Sequence, residues 1–393
     1  MNSEKYNNLI YIAEMYDDLF GEPLKYISNN FENILILIFH RAFRRDPPIY
    51  KHHEMPDNVK VIPMGNFIPP VRLSYSFGSI GFHLYQQLLK MYAHRAAKYL
   101  KNNGINVDLV HAHFIFPAGL IAYFLKDILD SKLIITAHGH DVYDLPFRSE
   151  HLRRITQNIL RRCDRTITVS YKNASILQNL GINNFTVIPN GFDPDVFFMK
   201  DPMSCRNTLG LPHSSKIILT VGTLTPIKGH KFLLDAFKKI IYKRDDVYLV
   251  IAGDGKLKND LIKHAKFLGI PDKVLFAGWI PHNKVADWMN ACDIFVLPSL
   301  NEGNPTVMFE CLGCGKPFVG TRVGGIPEVI ISEKLGILVE PKNHEQLADA
   351  ILKALDKEWD KEYILNYAKQ FTWDEIAKSI MAVYEEVCKN DRE

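Results

Sequence analysis

Short runs of Val, Ile and Leu recur along the chain between helical patterns, the rhythm of parallel strands buried on both faces by crossover helices. One series predicts strands at 9–13, 34–39, 59–63, 109–112, 133–136, 166–169 and 186–188. A second predicts strands at 217–221, 248–252, 274–276, 294–297, 317–320 and 336–339. Each series makes one doubly wound α/β sheet. Between them IPNGFDPDVFFMKDPMSC breaks the period with Pro, Gly and Asn, so the hinge is expected at 188–205. The expected division is therefore 1–195 and 196–373, followed by a helix at 374–393. In that last segment Thr372 looks like a cap, and Ile376, Ile380, Val383, Tyr384 and Val387 form one apolar stripe.

With 393 residues, 47% of them hydrophobic and 23% charged, the chain has material for two globular cores. The counts of 21 Pro and 23 Gly exclude collagen-like or disordered character. The apolar run ILILIF at 34–39 falls far short of the roughly 20 residues that span a bilayer. The opening MNSEKYNN has no leader pattern, which predicts a cytoplasmic protein, with the inner face of the cell membrane as a further location. Six cysteines are expected to be reduced thiols without a chemical role. A net charge of +3 is too small to argue for nucleic acid, but its distribution is uneven. No Asp or Glu falls between Asp57 and Asp108, whereas Lys60, Arg72, Lys90, Arg95, Lys98 and Lys101 do. Two readings stand: an ordinary solvated helix near 82–102, or a surface for anionic lipid or an anionic acceptor with Tyr85, Tyr92 and Tyr99 at the interface.

Open α/β sheets bind ligands beyond the carboxyl ends of their strands, so the loops there carry the candidate chemistry. GTLTPIKGH joins Gly222 and Lys228 to the start of a helix, an anion site in outline or a plain turn with a surface lysine. It lacks the P-loop spacing, which argues against ATP hydrolysis. AGDGKL gives a tight turn at Gly253, and FAGWIPHNKV offers Trp279 and Ile280 as an apolar edge for a planar base. No strand leads into GxGxxG, which disfavours a nicotinamide-dependent dehydrogenase. In VLPSLNEGNPTVMFECLGCGKPFVGTRVGGIPEVI the carboxylates Glu302 and Glu310 can line one wall at a helix start, with the amides after Gly303 and Asn304 meeting hydroxyls or phosphate oxygens. Two solvated glutamates are the bland alternative. Cys311 and Cys314 form a CxxC without a second pair, so no metal is expected. Histidines 111, 113, 138 and 140 alternate after strands rather than in a metal-binding helix motif. His138 and Asp141 are placed to hydrogen-bond a polyhydroxylated ligand, or to pack a turn.

The succession DLVHAHF, ITAHGHD, ITVS, VIPNGFD, LTVGTLTPIKGH, LVIAGDG, FAGWIP, VLPSLNEGNPTVMFE, GCGKPFVGT and GGIPEVI resembles retaining glycosyltransferases of family 4, which have the GT-B fold. The match runs from about Asp108 onward with the motifs in family order. The resemblance implies two Rossmann-like domains facing a cleft. The second would hold a nucleotide-diphosphate sugar and the first a glycan or lipid-linked acceptor, with no metal or other cofactor. Transferred residue by residue, Lys228 would neutralise the diphosphate and Glu310 would bond the ribose. Glu302, with Gly303, Asn304, Pro305 and Thr306, would contact the donor sugar. Gly222 opens the phosphate loop, with Thr223 and Gly253 also on the donor side and Trp279 and Ile280 near the base. His138 would stand near sugar and acceptor, with Asp141 on the acceptor side, and the catalytic set implied is Glu302, Lys228 and His138.

FTW and the helix after it resemble the family's terminal helix, which crosses back onto the first domain. Two departures stand out. Thr223 replaces a common Arg, leaving Lys228 alone or with a residue such as Arg322, and the glycine-rich loop after the first strand has only Gly21. The implied activity is sugar transfer with retained anomeric configuration, in polysaccharide or glycoconjugate assembly. The rivals are a glucan synthase or phosphorylase of the same fold, and a two-lobed carbohydrate-binding protein without catalysis.

Overall fold

The computed structural model describes residues 6–13, 18–41, 55–68 and 78–389. The chain divides into two compact units, Met1–Pro189 with Trp373–Glu393, and Asn190–Thr372.

The first unit is built on strands β1 (Tyr6–Ala13), β2 (Phe31–Arg41), β3 (Val59–Ile68), β4 (Leu109–His113), β5 (Lys132–Ala137), β6 (Arg165–Thr168) and β7 (Phe185–Val187). They form one parallel sheet in the order β3-β2-β1-β4-β5-β6-β7. Successive side chains point to opposite faces, so Ile10 and Ile12 enter one core while Leu9 and Tyr11 enter the other. The helix Gly78–Asn102 covers the first face with Phe82, Tyr85, Leu89, Tyr92, Ala96 and Leu100. Tyr85 and Tyr92 are thus core residues, not interfacial ones; the helical phase turns Ile80, Leu84 and Met91 outward instead. Arg72 and the segment after β1 that precedes Asp18 lie outside the described residues.

The opposite face is closed by the helix Trp373–Lys389, which sets Trp373, Ile376, Ile380, Val383, Tyr384 and Val387 against Leu9, Tyr11, Ile36, Leu109 and Ile134. This is the stripe read from the sequence. Residues 390–393 of the expected helix lie outside the described residues. Tyr384 is fully buried, and its hydroxyl is shared between the Tyr11 hydroxyl at 3.1 Å and His111 Nδ1 at 2.6 Å.

The second unit holds β8 (Lys216–Val221), β9 (Val247–Ala252), β10 (Val274–Gly278), β11 (Ile294–Leu297), β12 (Phe318–Thr321) and β13 (Gly336–Val339), ordered β10-β9-β8-β11-β12-β13. All pairings are parallel. The order reverses between β8 and β11, the position where such sheets leave a crevice at their carboxyl ends. The unit begins at Asn190 rather than the expected 196. The reason is local: the Phe192 amide donates to Phe371 O at 3.0 Å, and its ring lies so close to Gly313 that a Cβ there would fall 2.4 Å away.

Candidate active site

The loops after the four neighbouring strands of the second sheet are stitched together by backbone bonds. Gly222 N–H reaches Ala252 O at 3.0 Å, Leu224 N–H reaches Asp254 O at 2.9 Å, and Gly253 N–H reaches Gly278 O at 2.7 Å. Leu300 N–H donates to Ile227 O at 2.7 Å, tying the loop that carries Lys228 to the one that carries Glu302. The helices His230–Lys243 and Thr306–Gly313 both begin here with no side-chain cap on their first turn. An uncapped helix start is a partly positive, anion-accepting surface.

Lys228 Nζ lies 2.7 Å from Glu302 Oε1, which also accepts the Ser299 hydroxyl at 2.6 Å. Ser299 and Glu302 are buried, and Lys228 is partly exposed. The Glu302 loop is held from behind by Gly324, whose φ of +54° suits glycine and where a Cβ would fall 1.9 Å from Glu302 O. Gly229 has the same role for the Lys228 turn: its φ is +69°, and a Cβ would fall 1.9 Å from Pro298 O.

Glu310 sits one turn into the helix Thr306–Gly313 and is only 3% exposed. Its Oε1 accepts from His282 Nε2 at 2.9 Å, while its Oε2 is buried with no hydrogen-bond partner among the described residues. His282 opens the helix His282–Ala291 just beyond β10 and packs against the Phe197 ring, 5.2 Å between centroids. Sequence reading passed over His282. Its signal was a histidine at the first helical position after a strand of the same sheet. His230, also passed over, is buried beside Lys228; burial and then the Lys228 charge push its imidazole down to about 4.

The remaining donor-side candidates divide. Thr223 is exposed, Trp279 is 62% exposed, and Ile280 is half-buried against the core. Gly303 O accepts the Gly325 amide at 2.9 Å, Pro305 precedes the helix, and Thr306 is its first residue. Asn304 turns away from solvent: its Oδ1 accepts Asn190 N–H at 2.8 Å and its backbone carbonyl accepts Asn190 Nδ2 at 2.6 Å. It therefore braces the loop through the start of the unit, a role the sequence did not suggest. Arg322 is exposed beside Glu340, 3.9 Å away.

In the first unit Asp141 is buried, and its two carboxylate oxygens accept the amides of Ile115, His138 and Gly139 at 3.0, 3.1 and 2.8 Å. These bonds let Asp141 frame the turn after β5, the packing role that the sequence left open beside an acceptor contact. His138 Nε2 lies 3.0 Å from His113 Nδ1, and the rings of His111, His113 and His138 follow one another at 4.5 and 5.3 Å. Burial, with a lesser contribution from the neighbouring imidazoles, pushes His111 down to about 3 and His113 well below its usual value. Burial alone lowers His138. All three are neutral at physiological pH. Among the described residues no cluster of three or more His, Cys, Asp or Glu side chains could hold a metal ion.

Two doubly wound parallel sheets, the second with these loops at its carboxyl ends, give the architecture of the GT-B fold. Residues 204–371 match the family model for glycosyl transferases group 1, and residues 42–196 match that for glycosyltransferase family 4. An uncharacterised glycosyltransferase of Methanocaldococcus jannaschii is 30% identical over 72% of this chain and 76% of its own length. N-acetyl-alpha-D-glucosaminyl L-malate synthase of Bacillus anthracis is 28% identical over 73% of this chain and 77% of its own. Sucrose-phosphate synthase of Thermosynechococcus elongatus superposes with a TM-score of 0.76 at 21% identity, covering 97% of this chain and 99% of that one. Anabaena HepE in complex with UDP-glucose gives 0.70 at 20% identity, covering 96% and 99%. The chain belongs to glycosyltransferase family 4.

Proposed function

We propose that the protein transfers a sugar from a nucleotide-diphosphate donor to a glycan or lipid-linked acceptor, with retention of anomeric configuration, in polysaccharide or glycoconjugate assembly. The observation that carries the donor half is the grouping of Lys228 with Glu302 at two uncapped helix starts. Beside it stands the open acceptor Oε2 of Glu310. The HepE complex with UDP-glucose supports the donor, and the likeness to the M. jannaschii glycosyltransferase supports sugar transfer.

In this mechanism the Lys228 ammonium and the helix-start amides stabilise the charge that builds on the departing diphosphate, so protein groups meet that charge without a divalent ion. Glu302 holds donor-sugar hydroxyls and Glu310 accepts from the ribose. His138, from the first unit, attends the acceptor as a neutral imidazole. The bond from the anomeric carbon to the diphosphate oxygen breaks while a bond to the acceptor oxygen forms on the same face. The acceptor proton leaves with the departing phosphate. A thermal-shift panel of UDP, GDP and ADP with their sugars tests the donor, because a ligand bound to the native state raises the midpoint. One nucleotide series should shift it with EDTA present, and transfer should give retained product. Inverted product would remove the front-face mechanism, and no shift with any nucleotide would remove the donor assignment.

The acceptor half of the proposal includes an anionic bilayer. The helix Gly78–Asn102 exposes Ile80 (74%), Leu84 (64%) and Met91 (58%) among exposed Lys90, Arg95, Lys98 and Lys101, and has no acidic residue. Apolar and cationic groups interleaved on one helical face suit the headgroup boundary of such a membrane. No described helix is long and apolar enough to cross one. Flotation with phosphatidylcholine vesicles, with and without phosphatidylglycerol, checks this. Binding should require the anionic lipid and weaken with salt, and it should be lost in an Ile80→Ser, Leu84→Ser double variant; lipid-independent behaviour would refute it.

A further inference from the structure

We propose that His282 is a positioning residue for donor recognition, acting through Glu310 to set how strongly the site reads a ribose. This rests on the donor reading above and deepens it. A carboxylate only accepts hydrogen bonds, so the 2.9 Å contact fixes the proton on His282 Nε2, with Glu310 Oε1 as its acceptor. Glu310 is buried in the helix Thr306–Gly313 and cannot turn toward water for a substitute partner. His282 is itself held by the Phe197 ring and by its place at the first position of the helix His282–Ala291. The imidazole therefore locks the carboxylate plane from one side. The other oxygen, Oε2, remains as a buried acceptor without a protein donor among the described residues.

A vicinal diol presents O–H donors, and one of them satisfies that oxygen; a deoxyribose in the same place leaves it unpaired in a dry setting. Discrimination between ribose and deoxyribose thus depends on two residues, the acid that touches the sugar and the histidine that aims the acid. Without His282, Oε1 also loses its donor and the carboxylate rotates between arrangements, so either oxygen is presented weakly and the preference fades.

The test measures dissociation constants of the wild-type protein for UDP, GDP and ADP, and for the 2′-deoxy and 3′-deoxy forms of whichever binds. The same measurements are made on His282→Ala and His282→Gln, the amide of glutamine reaching where Nε2 stands. Wild type should favour the ribonucleotide over at least one deoxy form by about ten-fold, the worth of a hydrogen bond to a charged group. His282→Ala should bring that ratio to within about two-fold of unity, and His282→Gln should restore most of it. A ratio of two affinities on one protein is insensitive to the fraction that folds, so a purely structural role would leave it unchanged. An unchanged ratio in His282→Ala, or one lost equally in His282→Gln, overturns the proposal. Failure of wild type to bind any of the three diphosphates overturns the donor reading instead, and the two failures are distinct.

Discussion

Lys228 and Glu302, 74 residues apart in sequence, meet as an ion pair at 2.7 Å. The pair joins the loop after β8 to the loop after β11, the two strands at which the sheet order reverses. Each side chain keeps the other extended toward the ends of two helices. In the proposed donor complex the diphosphate would compete with Glu302 for the ammonium, and the resting pair would hold Lys228 ready without neutralising it for good.

Replacing Lys228 by Ala should reduce turnover by roughly 10²–10³-fold, the usual effect of losing one group that stabilises leaving-group charge. Glu302→Gln keeps the shape and the Ser299 bond but removes the charge; its effect should fall mainly on the sugar-transfer step. Steady-state kinetics on both variants and on the double variant check this. If the two effects simply added, the residues would not be acting as a pair.

Gly324→Ala should disable the enzyme without touching any ligand. A methyl group would fall 1.9 Å from Glu302 O, so the Glu302 loop must shift. A displacement of about 1 Å at a reacting centre can cost about 10²-fold in rate. Activity measured alongside the thermal midpoint separates the two consequences: the rate should collapse in a protein that still melts cooperatively.

Tyr384→Phe should destabilise the first unit by about 1–3 kcal/mol, because the Tyr11 hydroxyl and His111 Nδ1 both lose a buried partner. Urea denaturation would report it. Ending the chain at Thr372 should be far worse: it strips the cover from Leu9, Tyr11, Ile36 and Ile134 and should yield aggregated protein.

Acid should weaken the first unit ahead of general acid denaturation. His111, His113 and His138 are held neutral in the folded state, with pKa values below the ordinary one of about 6.5. The unfolded chain therefore takes up protons first as pH falls. The stability these groups contribute is complete above about pH 6.5 and declines below it, toward about 3 where His111 itself titrates. Thermal midpoints from pH 7.5 to 4.5 should fall progressively, and His113→Phe should flatten the slope. A flat wild-type profile would contradict the burial of these rings.

The thirteen described strands were legible because most of them, buried on both faces, are written as continuous apolar runs with little competing signal. The positions of Lys228, Glu302 and Glu310, in loops or a helix start just after such runs, were legible for the same reason, and their roles remain those of the proposed donor site. What escaped depends on partners distant in sequence. His282 reaches Glu310 across 28 positions and Asn190 reaches Asn304 across 114, and no local pattern encodes either contact. Tyr85 and Tyr92 were misplaced for a different reason. A helix with apolar residues on both faces does not declare which face is inside until the sheet beneath it is known.

The helix Trp373–Lys389 completes a sheet whose last strand ends at Val187, so everything from Asn190 to Thr372 is translated in between. On the ribosome the first sheet must wait with one oily side bare while the whole of the second unit emerges and has time to fold. Synthesis therefore has a vulnerable interval fixed by chain order, and a chaperone that shields the nascent sheet should matter more to the yield of this enzyme than one that acts on the finished chain.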